Sequence, residues 1–332
     1  MDQVAHKVTI SLLTWNGAKY LPVLLHSLQN QTFKDWELLV LDNASVDNSV
    51  ALVEEYWPPA TIIKQKQNIG FARGHNLLVK WSKSEYVLVL NQDVILDSDY
   101  IETLVDFLDK HPKVASVSGK IFYWDFEENK KTTQIDTLGL KMYHNRRVED
   151  WLQGAEDRMI EDQEVFGLSA VAVLYRRAAL ESVRIPNASN DFEYFDEDFF
   201  SYKEDIDLAW RLRLWSWQNY LVSNAKAYHD RTLSNRQSLK VRRKYRGLAN
   251  KLSYRNHFLL LYKNSFWKNY FKDWHLIFWY EFKKFIYLLI FERSTLVGIK
   301  EFFKLLPKIS KKRKYIQKNC HQEYRDIYNW LS

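Results

Sequence analysis

Cysteine is nearly missing from this chain: Cys320 stands alone among 332 residues. One thiol cannot close an internal disulfide, so a reducing compartment is expected. Glycine (9) and proline (6) are scarce, and no internal repeat or low-complexity segment is found. No uncharged apolar run reaches the roughly 18 residues that a membrane-spanning helix needs. The opening MDQVAHKVTISLL has no basic region leading into a long apolar stretch and a small-residue cleavage site, so no secretory signal is expected.

What is present is a chain able to bury a core: 46% of its residues are hydrophobic. Its length suits one large domain or two ordinary ones. The net charge of +7 conceals a split. Residues 240–318 carry 21 Lys/Arg against 4 Asp/Glu, whereas residues 1–239 carry 26 against 35. This pattern predicts an acidic working domain, residues 1–238, and a basic attachment region, residues 239–332.

The apolar run VTISLLTW (8–15) reads as a buried strand, and the leucines that follow recur at helical spacing. WELLVLDNAS (36–45), ATIIKQ (60–65), EYVLVLNQDVIL (85–96) and VASVSGKIFYW (114–124) read as further strands, with helical patterns between them. Apolar runs without period-two alternation are what strands covered on both faces require. The fold class expected is therefore α/β, with a mostly parallel central sheet flanked by helices and a C-terminal helical region. Residues 125–165 are polar and read as an inserted loop, a candidate lid. A strand then a helix start follow over 166–180, a helix over 204–217, and a last strand ending at His229.

In such sheets ligands bind beyond the carboxyl ends of strands, and the polar clusters fall there. Asp42, followed by Asn43, Ser45 and Asp47, can accept from a nucleobase imide or a ribose hydroxyl; the alternative is a turn capping the next helix. In NIGFARGHN (68–76), Gly70 and Gly74 permit close backbone approach, and Arg73 and Asn76 could reach a diphosphate. The segment is neither a P-loop nor a GxGxxG fingerprint, and a plain turn before a helix remains open. In LVLNQDVIL, a carboxylate at a strand end, Asp93, can hold a hard divalent cation completed by phosphate oxygens. His229 is a candidate second ligand, a structural histidine being the alternative.

Taken in order, these segments resemble family-two inverting glycosyltransferases of GT-A fold over about residues 7–235. NIGFARGHN, LNQDV, FGLSAVAVLYRRAAL and FDEDFFSYKEDIDLAWRLRLWSW are similar to the rhamnosyltransferase-like branch, which builds bacterial cell-surface polysaccharide, often from dTDP-L-rhamnose. The resemblance implies that Thr14, Asn16, Asp42 with Asn43, and Asp47 surround the nucleoside. It places Asn68, Gly70, Phe71, Ala72 and Asn76 near the diphosphate or sugar. It sets Asn91-Gln92-Asp93 in place of the family's Asp-x-Asp, and Asp205 in that of its catalytic base. Asn91 is a departure: a neutral amide contributes less to a Mg2+ or Mn2+ ion, which leaves Asp93 and His229 as its expected ligands.

Eight carboxylates crowd into the seventeen residues from Asp191 to Asp207, among Phe, Tyr, Ile, Leu and Trp. Transfer with inversion needs one base near the acceptor hydroxyl, and rings that desolvate an acid raise its pKa. Asp205 is the expected base, with Glu204 beside it, and Asp196 and Glu197 are expected to bind acceptor hydroxyls. The competing reading is a set of acids favoured at a helix start by the macrodipole. The basic aromatic tail reads as helices lying on an anionic membrane surface, or as a bundle packed on the catalytic part. No nucleic-acid recognition motif is found. The function expected is sugar transfer from a dTDP- or UDP-linked donor to a saccharide, on a lipid diphosphate, by a cytoplasmic enzyme peripheral to the inner face of the plasma membrane. A nucleotidyltransferase is an alternative, though the Gly-rich basic loop it would need near the start is missing. An inactive sugar-nucleotide-binding scaffold is another.

Overall fold

The apolar runs of the first half alternate with amphipathic segments because each strand must be covered on both faces. The computed structural model describes residues 6–187, 191–231 and 239–332, with only the backbone for 239–246. Its elements in order are β1 (Val8–Thr14), α1 (Leu21–Gln29), β2 (Trp36–Asp42), α2 (Ser49–Tyr56), β3 (Thr61–Lys64), α3 (Phe71–Trp81), β4 (Tyr86–Asn91), β5 (Val94–Leu96), α4 (Tyr100–Lys110) and β6 (Val114–Asp125). There follow β7 (Lys130–Thr137), β8 (Leu140–Met142), β9 (Val148–Asp150), β10 (Gln163–Val165), β11 (Ala172–Arg176), α5 (Arg177–Val183), β12 (Ile185–Pro186), β13 (Phe192–Glu193), α6 (Glu204–Leu214) and β14 (Gln218–His229). Five helices complete the chain: α7 (Leu239–Asn264), α8 (Trp267–Lys272), α9 (Trp274–Phe291), α10 (Val297–Asn319) and α11 (Tyr324–Tyr328).

The main sheet has the order β10-β14-β6-β11-β4-β1-β2-β3. Strands β3, β2, β1 and β4 are parallel, as are β6 and β14; β11 runs antiparallel between β4 and β6. The sheet is mostly parallel, as the apolar runs predict. Its register aligns the polar strand ends, pairing Thr14 with Asp42 and Leu13 with Asn91. Strand β4 shows why no alternation is visible in the sequence. Leu88 and Leu90 enter the core under α1 and α4, while Val87 and Val89 enter the opposite core with α3, α5 and α6.

Two expectations need correction. Residues 85–96 are not one strand: β4 ends at Asn91, the chain turns through Gln92-Asp93, and β5 leaves to pair with β14. Residues 125–165 are not an irregular loop, because β7 forms a hairpin with β6 and β10 adds to β14. The C-terminal helices do not stand apart either. Leu259, Leu260, Ile309 and Ile316 are buried in the same core as α5 and α6.

Candidate active site

The carboxyl end of the parallel strands is braced by side chains gripping backbone. Gln92 Oε1 accepts from Thr14 Oγ1 (2.8 Å) and Trp15 N (2.9 Å), so it ties the turn after β4 to the end of β1. A Cβ on Gly17 would lie 2.3 Å from that same oxygen, so a larger residue there would displace the Gln92 amide from these bonds. Asn16, at φ 50°, accepts from Val46 N, and its own N–H donates to Ser45 Oγ. Asp42 accepts from Ser45 N, which closes the turn after β2 but does not cap α2, whose N-cap is Asn48. Asp47 accepts from Ser49 and Ala18 N; burial acts against its charge, but these bonds hold its carboxyl below the usual range. Asn43 accepts from Ile69 N and donates to Asn68, whose Oδ1 also accepts from Gly70 N. The residues expected on the nucleoside side are thus gathered at two adjacent strand ends, those of β1 and β2.

The segment 68–76 has another job than the one expected of all its members. Asn76 is buried, and its amide is fully used: Oδ1 accepts from Tyr194 N and Phe195 N, while Nδ2 donates to Phe195 O and Glu197 Oε1. Ala72 is buried too, its N–H donating to Phe200 O. Asn76 and Ala72 are therefore corrected from ligand contacts to braces for the acidic stretch. Phe71, half-buried beside Phe195, joins them by donating to Ser201 Oγ. Gly70 is required twice: its φ is +84°, and a Cβ there would meet Phe200 O at 2.5 Å.

At the turn after β4, Asp93 Oδ1 lies 3.4 Å from His229 Nε2. The other ring nitrogen, Nδ1, is 2.8 Å from Asp136 Oδ2. Burial opposes charge on this imidazole, but Asp93 and Asp136 outweigh it and push His229 up to about 10. Arg231 then links Asp136 to Asp150, each at 2.7 Å. Asp136 and Asp150 belong to the segment read as a loop, and no sequence signal singled them out. A histidine fixed at one nitrogen by a carboxylate, with the other turned toward a second carboxylate, fits a divalent metal ligand with its outer-sphere partner. No group of three or more candidate ligands exists among the described residues.

The acidic stretch divides in two. Asp196 is fully buried between Lys263 and Lys312, and Lys312 Nζ also reaches Glu193 (2.5 Å) and Asp198 (2.7 Å). Burial works against the Asp196 carboxylate, but the two lysines hold it well below the usual range. Asp207 is buried with Lys263 (2.8 Å), Arg211 (3.0 Å) and Asn264 (2.8 Å). The expected acceptor role of Asp196 is corrected: it has no free face. Glu197 keeps a partly open carboxylate beside Asn76 and Arg73.

Glu204 and Asp205 differ from these. Neither makes an ion pair among the described residues. Three residues just before them, Phe200, Tyr202 and Lys203, have φ of 65°, 73° and 70°, a strain that non-glycine residues accept only where surroundings enforce it. Asn256 of α7 enforces it, donating to the carbonyls of Phe199, Ser201 and Tyr202. Asp205 is half-buried; its Oδ2 accepts from Ala170 N (3.3 Å) and its Oδ1 from Ile206 N (2.8 Å). One residue on, Val171 O accepts from Asn91 N (2.9 Å), so the 170–171 segment joins Asp205 to the turn carrying Asp93. Burial raises the Asp205 carboxyl, while Glu204 is buried with Oε2 unbonded among the described residues and is raised well above the usual range by burial and by Asp205. Burial also lowers Lys203 to about 8, with Lys284 of α9 adding to the effect.

Comparison with known proteins follows this geometry. The model of the family described as Glycosyl transferase family 2 matches residues 9–184. An N-acetylglucosaminyl-diphospho-decaprenol L-rhamnosyltransferase of Mycobacterium tuberculosis is 23% identical over 241 residues, 67% of this chain and 75% of that one. Glycosyltransferase GlyA of Streptococcus pneumoniae is 26% identical over 186 residues, 54% of this chain and 26% of that one. The chain spans only 55%, 30% and 26% of the length of three curated relatives it matches. Among solved structures, GalNAc-T7 with UDP, GalNAc and Mn2+ aligns with TM-score 0.59 at 10% identity, covering 79% of this chain and 48% of that one. S. aureus TarS 1–349 in complex with UDP aligns with TM-score 0.52 at 17% identity, covering 97% and 90%. These likenesses give the fold, which is GT-A.

Proposed function

We propose that this chain, which belongs to glycosyl transferase family 2, transfers a sugar with inversion from a nucleotide-sugar donor to a saccharide acceptor. The observation that carries the reading is the 170–171 link. One short segment holds a half-buried carboxylate, Asp205, that makes no ion pair among the described residues, and abuts the turn bearing Asp93. In the reaction the acceptor oxygen bonds to the anomeric carbon as the bond to the nucleotide diphosphate breaks. Asp205 takes the acceptor's proton, its basicity increased by burial. Its half-open position selects it over the buried Glu204, which supports it from within.

Thr14, Asn16, Asp42, Asn43 and Asp47 line the nucleoside side, and Asn68, Gly70 and Asn91-Gln92-Asp93 the diphosphate side. Asp93 and His229 would hold a Mg2+ or Mn2+ ion. When bound, such a cation offsets charge on the departing diphosphate. Glu197 meets the acceptor. Residues 1–238 serve as the donor-binding and catalytic part, and 239–332 as the attachment part.

The best-supported donor is dTDP-L-rhamnose, a UDP-linked sugar being next; the mycobacterial relative named as an L-rhamnosyltransferase supports the first. The acceptor is a saccharide on a lipid diphosphate, met by a cytoplasmic enzyme at the inner face of the plasma membrane during cell-surface polysaccharide synthesis. The test is a donor panel, read by thermal shift and then by hydrolysis with Mg2+, Mn2+ or EDTA. A shift and turnover with one nucleotide sugar is expected. Silence toward every donor would overturn the transferase, whereas full activity in EDTA would remove only the metal.

A further inference from the structure

Helix α9 is built inside out. Of its eighteen residues only Ile277 and Leu288 are buried. With Tyr280, Glu281 and Lys284 they form one stripe at helical spacing, and its polar members face the protein. Glu281 pairs with His257 at 2.7 Å, and Lys284 lies 5.0 Å from the ring centroid of Tyr254. The opposite, outward face is apolar. Phe278, Trp279, Phe282, Ile286, Leu289 and Ile290 are all exposed, Ile290 by 60%. Trp267 and Phe271 of α8, which precedes α9 in the chain, are exposed too. A water-facing helix carries the reverse pattern, and contiguous apolar surface on this scale marks a contact with lipid or protein.

The helix is also fixed in place. Buried Arg146 holds Asp273 at its start (2.8 Å), and Asn250 holds Glu292 just past its end (2.8 Å). At about 27 Å for eighteen residues, α9 therefore lies flat along the protein. No helix among the described residues is long and apolar enough to cross a membrane. Exposed Lys268, Lys272 and Lys283 lie within or beside the apolar face. A second copy of this surface would bring lysines against lysines, because residues 240–318 hold 21 Lys/Arg against 4 Asp/Glu. Anionic lipid neutralises them instead.

We propose that the outer face of α8 and α9 inserts, in plane, into the headgroup layer of an anionic phospholipid bilayer. The rings and aliphatic chains enter the acyl boundary, and the lysines meet lipid phosphates. The inference takes from the proposed function its membrane-borne acceptor; the surface itself is argued from burial and charge. It also gives docking a direction. The inner stripe, through Glu281 and Lys284, lies within electrostatic reach of Lys203, next to Asp205.

The test uses the full chain without nucleotide sugar or acceptor. Vesicles of phosphatidylcholine, alone or with about 30% phosphatidylglycerol, are floated with the protein, and brominated acyl chains report tryptophan depth. Flotation with anionic vesicles and quenching are expected. Phe278→Ser/Trp279→Ser should weaken binding about tenfold or more with an unchanged circular dichroism spectrum. Lys268→Gln/Lys272→Gln/Lys283→Gln should erase the preference for anionic lipid. The inference is overturned if the intact chain does not float, or if neither set of substitutions alters flotation. It is equally overturned if the surface instead mediates a dimer that Phe278→Ser/Trp279→Ser dissolves. A protein that floats but processes no donor removes the proposed function and keeps the surface; one that processes donor without floating does the opposite.

Discussion

Two groups of acids, a few residues apart on one segment, have opposite physical fates. Glu193, Asp196, Asp198 and Asp207 are met by Lys263 and Lys312, which the C-terminal helices bring in from 67 and 116 residues away in the case of Asp196. Glu204 and Asp205 lie in equally crowded surroundings with no ion pair among the described residues, and burial raises both. The first group fastens the tail to the catalytic part. The second keeps a carboxylate that gains from taking up a proton. The same residue types therefore do structural or chemical work according to whether a cation reaches them.

The largest effect should come from the unpaired group. Asp205→Asn should lower kcat by about 10²–10⁴-fold, the usual contribution of a positioned base, and leave donor binding unchanged by calorimetry. With Asp205 intact, kcat/KM should fall as pH drops through a value above the ordinary carboxylate range, because burial raises this group and only its ionised form accepts the proton. Asp205→Asn should abolish that acid limb. A larger loss in Glu204→Gln than in Asp205→Asn would exchange the two roles.

Next comes the paired group. Lys263→Met leaves Asp196 and Asp207 short of a cation in a dry interior, and removing one partner of a buried pair costs about 3–5 kcal/mol. Urea denaturation should show a loss of that order. The double variant Lys263→Met/Asp196→Asn should recover part of it, because it removes one excess buried carboxylate while Lys312 keeps Glu193 and Asp198. Full stability in Lys263→Met would mean that the tail is not fastened through these contacts.

The comparison also marks where sequence reading stops. Strands β1, β2, β4 and β6 are legible as unbroken apolar runs, and their polar ends point to Thr14, Asp42 and Asp93. Strands β7 to β10 are not: KKTTQIDT carries almost no apolar signal, and only pairing, of β7 to β6, of β10 to β14 and of β8 to β9, makes these segments strands. Asp136 is hidden for the same reason, being joined to His229 across 93 residues. The inward side chain of Asn76 could not be told from a ligand contact, since both uses need an amide near a turn. The excess of acids in 191–207 was visible, but which of them a lysine of α7 or α10 would neutralise depends on helix packing that local pattern does not encode.

The smallest effect separates the two groups most sharply, because it changes sign between them. Glu204→Gln replaces a buried, unpaired carboxyl by a neutral amide of similar shape. Burial holds the Glu204 proton in the folded state at pH values where the unfolded chain has lost it. In that window the folded state binds more protons than the unfolded state, so stability falls as pH rises. Below the ordinary carboxylate range, about pH 4, both states are protonated and the two proteins should be equally stable. Above it Glu204→Gln should gain steadily, by about 1.4 kcal/mol for each pH unit until the folded-state carboxyl itself ionises. Asp196→Asn must do the reverse. Its carboxylate is held low by Lys263 and Lys312, so it contributes stability above the ordinary range and loses it as pH falls. Urea midpoints for both variants at acid and neutral pH decide the matter. Two curves of the same sign would show that Glu204 has a cation after all, and that the division between fastening acids and reactive acids does not hold.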